Sequence, residues 1–145
     1  MRTINRNIAG AFIFSSDEKV LLGHCGVYAD QLVVPGGGIE DGETPLVTMK
    51  REILEETGID VNDEHVTQIP EINVGESEKV TVSGERILVK MSFYDFAVYL
   101  PQKSTEIVMK VEDDFVDAGW YSKEDLSNAQ IGAPTEATLR KLNFL

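Results

Sequence analysis

Apolar and polar positions alternate over several short segments of the chain, a pattern that predicts mainly β-strands. The apolar segments at 8–16 and 19–25 flank the polar turn SSDE and predict a first hairpin. The segments EKVTVS (78–83) and RILVKMSFYDFAVYL (86–100) flank the turn SGE and predict a second, longer hairpin. A further short strand is expected at 115–122.

Two other segments have the spacing of amphipathic helices. In the first, Thr44 is a good N-cap, Pro45 suits the first helical position and Gly58 suits the position just past the end. The spacing therefore predicts a helix from Pro45 to about Thr57. Its apolar stripe is expected to consist of Leu46, Met49, Ile53 and Leu54. The second helix is predicted over 134–145, and the mixture of elements favours an α/β class with a mixed sheet.

Length and composition narrow the class of protein. The chain has 145 residues, 42% of them hydrophobic and 26% charged, which suits one globular domain spanning 1–145. A net charge of −12 argues against a partner that is a nucleic-acid polymer. No apolar run is long enough to cross a membrane, and a single Cys25 fits the reducing cytoplasm. These features leave open whether the chain forms a homodimer.

The end of the first predicted helix has an unusual concentration of acid. Glu52, Glu55 and Glu56 are three and four residues apart, so they share one face of the helix. The C-terminal end of a helix dipole and the mutual repulsion of the carboxylates both oppose this arrangement. A divalent cation, which prefers oxygen ligands, would offset that cost. The glycines at 36–38 would let backbone approach a phosphate closely.

The glutamates belong to a longer pattern that runs from Gly37, through Glu43 six residues later, to the segment REILEETGI at 51–59. This pattern resembles the Nudix box of MutT-like Nudix hydrolases, and every fixed position of that box is matched. The resemblance implies the Nudix fold, an α/β/α sandwich with a mixed central β-sheet and a loop-helix-loop box. The alternative interpretation is a solvated helix face, in which Arg51 and Glu55 form an ordinary i,i+4 pair. Gly37 and Glu43 at the required spacing favour catalysis.

The resemblance also implies roles for the residues of the box. The metal ligands would be Glu52, Glu55, Glu56 and Gly37. The catalytic set would be Glu55, Glu52, Arg51 and Glu43, in which Arg51 and Glu43 orient the cluster and one glutamate also acts as the base. The implied cofactor is Mg²⁺, with Mn²⁺ as a substitute.

Two further groups of residues are weaker candidates. An extra base or metal ligand, which relatives often place before the strand that contains Trp120, would come from Glu112, Asp113 or Asp114. Substrate phosphates would be held by Arg6, Arg86 and Lys90. A plain role as charged surface is the alternative for both groups.

The chain departs from the family pattern at two positions. Leu32 stands where relatives often have a tryptophan, three residues before the proline of the P-G-G segment. Gly132 stands where nucleoside triphosphatases of the family often have an asparagine that reads a base. Recognition of a base by that asparagine is therefore not expected in this chain.

The implied reaction is hydrolysis of a nucleoside diphosphate linked to another moiety. The first expectation for the substrate is a small nucleotide, a nucleoside triphosphate that gives monophosphate and pyrophosphate. The alternatives are a nucleotide sugar, a dinucleoside polyphosphate, or a module that binds nucleotides without catalysis. A capped RNA end fits poorly because the acidic surface should repel a polymer.

Overall fold

The computed structural model describes residues 1–25, 30–110 and 115–145. Within these ranges, seven strands form one mixed sheet, and two helices pack against it. The strands are β1 (Arg2–Phe14), β2 (Val20–Cys25), β3 (Gly36–Gly38), β4 (Val66–Gln68), β5 (Asn73–Val80), β6 (Arg86–Tyr99) and β7 (Phe115–Tyr121). The helices are α1 (Pro45–Thr57) and α2 (Ala133–Lys141).

The two longest strands, β1 and β6, form the centre of the sheet. They run parallel, in continuous register from the pair Arg2 and Ile87 to the pair Phe14 and Tyr99. On the far side of β6, β5 pairs with its first half and β4 with its second half, both antiparallel. On the far side of β1, β3 pairs near its middle and β2 at its end, and β7 pairs with β2. The connection between the parallel strands requires a crossover, and α1 lies within it.

Successive side chains of β1 point to opposite faces of the sheet, and each face has its own core. One face packs against α1 and contains Ala9, Ala11, Ile13, Met49 and Ile53. The other face packs against α2 and contains Phe12, Phe14, Ala97 and Leu139. The expected α/β/α sandwich with a mixed sheet is thus confirmed.

Helix α1 has the predicted bounds because both of its ends are capped. The hydroxyl of Thr44 accepts a hydrogen bond from the Val47 amide at 3.2 Å. Gly58 takes a left-handed conformation, with φ at 76°, and its amide donates to the carbonyl of Leu54. Glycine adopts this conformation without the steric cost that a side chain would bring.

The predicted apolar stripe of α1 is wrong at one position. Met49 and Ile53 are fully buried, but Leu54 is 50% exposed. The buried residue at the end of the helix is Thr57 instead, and its hydroxyl donates to the carbonyl of Ile53 at 2.6 Å. Because its hydroxyl is satisfied within the helix, this threonine is buried at little cost.

Further elements differ from the sequence prediction. Strand β1 begins at Arg2 rather than at 8, and β5 spans Asn73–Val80 rather than 78–83. Helix α2 ends at Lys141 rather than at 145, and Leu142, Phe144 and Leu145 fold back onto the core. Strand β4 was not predicted, because three residues are too few to show a period. Strand β3 consists of glycines, which have low β-propensity, and it is formed through pairing with β1.

We expect Gly36→Ala to lower the free energy of unfolding by about 1–3 kcal/mol, because the added methyl group overpacks the sheet. An ideal Cβ at Gly36 would lie 2.5 Å from the carbonyl oxygen of Ala9. The matched control is Gly38→Ala, where a Cβ would meet nothing within 4 Å and the change should be within about 0.5 kcal/mol. Urea unfolding of both variants checks this, and equal stabilities would contradict the close approach.

Candidate active site

Arg51 lies at the centre of a network of carboxylates on α1 and the preceding loop. Its guanidinium binds Glu43 through two hydrogen bonds of 2.8 Å, from Nε to one oxygen and from Nη2 to the other. Its Nη1 donates to Glu52 at 2.9 Å and to Glu55 at 3.4 Å. Nη2 also donates to the carbonyl of Gly38 at 3.3 Å. Arg51 therefore ties the helix to the glycine strand β3.

Glu43 is fixed as firmly as Arg51. Its carboxylate also accepts from the Thr48 hydroxyl at 2.9 Å and from the Glu40 amide at 3.0 Å. The hydrogen bonds from Arg51, followed by the amide of Glu40, lower the pKa of Glu43 to about 2. The same contact raises the pKa of Arg51 above its usual range. Both groups therefore stay charged throughout the physiological range, and the bidentate geometry fixes the guanidinium.

The glycines of β3 bring the backbone against the carboxylates of α1. An ideal Cβ at Gly37 would lie 2.3 Å from the carboxyl carbon of Glu52, so a side chain there would force that carboxylate to move. One carboxylate oxygen of Glu56 accepts a hydrogen bond from the Gly36 amide at 3.1 Å. Glu55 points further outward, with 59% of its side chain exposed. The box thus forms one surface made of carboxylates and glycine backbone.

The donor set suits a hard divalent cation, because it consists of oxygen atoms on one helix face. Within the three described ranges, however, no group of three acidic, histidine or cysteine side chains is arranged to hold a metal ion. Glu52 is drawn to Arg51, and Glu56 to the amide of Gly36. The residues fit the cation in chemistry and spacing, and binding it requires their side chains to turn toward one point.

The family model described as the NUDIX domain matches residues 4–142. The chain belongs to the Nudix family. It is therefore a hydrolase that acts on phosphoric anhydride bonds. The resemblance to MutT-like Nudix hydrolases seen in the box is confirmed.

Individual relatives extend this Nudix assignment over most of the chain. The nucleoside triphosphatase NudI of Escherichia coli K12 is 29% identical over 122 residues, which cover 83% of this chain and 82% of the relative. The MutT structure from Bacillus halodurans has a TM-score of 0.68 at 21% identity, covering 93% of this chain and 80% of that one. Dihydroneopterin triphosphate pyrophosphohydrolase of E. coli has a TM-score of 0.68 at 20% identity, covering 93% and 92%. At such identities, the two structures show the shared fold.

The candidate cations lie at different distances from the Nudix box. Arg86 pairs with Glu78 at 2.9 Å. The next residue, Ile87, has Arg2 as its register partner, and Arg2 is six residues along β1 from Ile8, the partner of Gly38. At about 3.3 Å per residue, this separation is about 20 Å, so Arg86 is not at the box. Lys90 lies 3.8 Å from Glu76. It is three residues along the sheet and two strands across from Gly38, a distance of about 14 Å.

Arg6 is exposed and lies two positions from Ile8, which pairs with Gly38. The candidate residues Glu112, Asp113 and Asp114 lie outside the described residues.

Among the described residues, no helix is long and apolar enough to cross a membrane.

Sequence reasoning missed the buried acid Asp95. It lies in the middle of β6, is 7% exposed, and forms no ion pair with a described residue. Burial raises its pKa to about 6, and a hydrogen bond from the Asn73 side chain only partly opposes this. A lone acid within the apolar segment SFYDFAVYL was the available signal, since such residues are rarely buried without a partner.

We expect Asp95→Asn to become more stable than the wild type as the pH rises. The folded state binds the Asp95 proton more tightly than the unfolded state, whose pKa is the usual 3.8. This contribution is therefore fully present below that value and is lost as the pH rises through the folded pKa of about 6. The wild type should lose up to about 3 kcal/mol relative to the variant between about pH 4 and pH 7. Urea unfolding of both proteins across this range checks the difference, and parallel curves would contradict it.

Proposed function

We propose that this Nudix domain, spanning 1–145, is a metal-dependent pyrophosphohydrolase. It cleaves a nucleoside triphosphate to a nucleoside monophosphate and pyrophosphate, with Mg²⁺ or Mn²⁺ as cofactor. The substrate class is supported by the relative from E. coli, which is named a nucleoside triphosphatase. The single cysteine and the net charge of −12 support a cytoplasmic enzyme that acts on small nucleotides rather than on polymers.

The observation that carries this proposal is the contact between Glu52 and Gly37. Because Gly37 has no Cβ, the carboxylate of Glu52 lies directly against the backbone of β3. This contact brings an acidic helix face and a glycine backbone to one place. An acidic surface without a cation repels phosphates, so its position beside a glycine backbone is consistent with a site where metal and phosphates bind together.

The residues of the box divide into ligands and positioning residues. Glu52, Glu55, Glu56 and the backbone of Gly37 would hold the cation. When bound, the cation supplies positive charge to the phosphate oxygens and lowers the pKa of a bound water. Arg51 and Glu43 would be positioning residues, because Arg51 donates to Glu52 and Glu43 fixes Arg51.

Glu55 is the best candidate for the base that removes the proton of the attacking water. Its contact with Arg51, at 3.4 Å, is longer than those that the guanidinium makes with Glu43 and Glu52. Its side chain is also far more exposed than those of Glu43 and Glu52. A carboxylate with fewer fixed partners can turn toward a water molecule at lower cost.

We expect Glu55→Gln and Glu56→Gln each to lower kcat by about 10²-fold or more, since each removes a charge while keeping the shape. Turnover of nucleoside triphosphates at saturating Mg²⁺ measures the loss. The control is Glu64→Gln, an exposed residue outside the box, which should keep full activity. The melting temperature without metal should not fall, because the changes relieve repulsion at a helix end. Wild-type rates in both box variants would rule out these glutamates as catalytic.

The bond that is cleaved can be identified with ¹⁸O-labelled water. We expect the label in the nucleoside monophosphate or in pyrophosphate, and never in free orthophosphate as a primary product. Orthophosphate would show removal of a terminal phosphate and refute the reaction type. A screen that includes nucleotide sugars and dinucleoside polyphosphates separates the alternative substrates. Absence of turnover on all of them would favour a module that only binds nucleotides.

A further inference from the structure

Asp95 lies on the face of the sheet opposite to the box glutamates. Its strand neighbour Ala97 packs on the α2 side, and strand alternation places Asp95 on that side too. Asn73 joins it there, since the Asn73 amide donates to the Thr138 hydroxyl of α2 at 3.1 Å. Asp95 is thus buried at the edge of the area that α2 covers.

The position of Asp95 is close to the glycine strand. Asp95 pairs in register with Gly10, and Gly10 pairs with Gly36. Three strands spaced by about 4.8 Å put Asp95 about 10 Å from Gly36. A carboxylate oxygen of Asp95 and the carbonyl oxygen of Pro35 would each lie 3.2 Å from a Cβ at Gly10. Because Gly10 has no side chain, nothing on β1 separates the carboxylate from this loop.

Beyond Asp95, the same face of the sheet is only partly covered. The next residues on that face are Phe93 on β6 and its register partner Ile8 on β1, and both are half-buried. An aromatic ring beside an aliphatic side chain is a surface on which a nucleobase stacks. The buried carboxylate lies at the inner end of this surface.

Retention of an acid that has no ion-pair partner among the described residues is costly. Burial without a cationic partner disfavours the charged form, as the raised pKa of Asp95 shows. The neighbouring Asn73 amide already donates to Thr138, so acceptor capacity remains on the two carboxylate oxygens of Asp95. A residue that destabilises the free protein and has capacity left for donors is well suited to a ligand that supplies those donors.

We propose that Asp95 is the specificity-determining residue for the nucleobase, and that it selects a base edge with two adjacent N–H donors, as guanine has. This inference rests on the proposed function, and it assigns recognition to a residue outside the box. An ionised carboxylate accepts both donors, whereas adenine and cytosine present one donor beside one acceptor. Stacking on Phe93 would hold any base, and Asp95 would discriminate among them.

The first experiment compares kcat/KM for GTP and ATP in the wild type and in Asp95→Asn. The wild type should prefer GTP by about 5- to 150-fold, the usual range for a bidentate contact to a base. In the variant, the amide offers one donor and one acceptor, so the preference should fall to about one or reverse. The control Asp60→Asn removes an exposed acid and should keep the wild-type ratio.

A second measurement separates this proposal from the assignment of the reaction. Binding of GMP and AMP, measured by calorimetry, requires no turnover. If no triphosphate is hydrolysed but GMP binds better than AMP through Asp95, the proposed function fails and the assignment of Asp95 stands. A wild type without preference for guanine overturns the assignment. An Asp95→Asn protein that keeps the preference, or loses both bases equally as a structural change would cause, overturns it as well.

Discussion

The close approach of α1 to the glycines of β3 is the constraint on which the arrangement of the site depends. Gly36 lies against the backbone of β1, and Gly37 lies under the carboxylate of Glu52. A Cβ at Gly36 would clash with the backbone of β1, and a Cβ at Gly37 would displace the carboxylate of Glu52, so this arrangement depends on both glycines. The hydrogen bond from the Gly36 amide to Glu56 then fixes the helix end against the strand.

The cost of gathering carboxylates at a helix end is offset locally by one cation. Arg51 satisfies Glu43 through both oxygens and reaches Glu52 and Glu55 with its remaining nitrogen. Because Glu43 is fixed in turn by Thr48 and by backbone, the guanidinium has little freedom. The arginine therefore orients the acidic face in the protein alone, and it restrains Glu55 less than Glu43 or Glu52.

Local signals in the sequence were sufficient for α1 and for the order of the box. Thr44, Pro45 and Gly58 act through backbone groups a few residues away, so the helix ends follow from the sequence itself. The exposure of Leu54 and the short strands β3 and β4 depend instead on what packs beside them. The burial of Asp95 depends on the parallel pairing of β1 with β6, which joins residues 85 positions apart. A local pattern in the sequence does not predict which residues of two distant strands pair.

The same register explains how one sheet can hold a phosphate site on one face and a base site on the other. Neighbouring residues of β1 face opposite sides, so Ala9 belongs to the core under α1 while Gly10 lies beside Asp95. Across β3, Ala9 pairs with Gly37 and Gly10 pairs with Gly36. A ligand that reaches around the short strand β3 would meet carboxylates for its phosphates on one face and the Asp95 carboxylate for its base on the other. Each side chain of β1 belongs to only one face of the sheet. Substitutions on the α2 face can therefore alter base recognition without moving the residues of the α1 face.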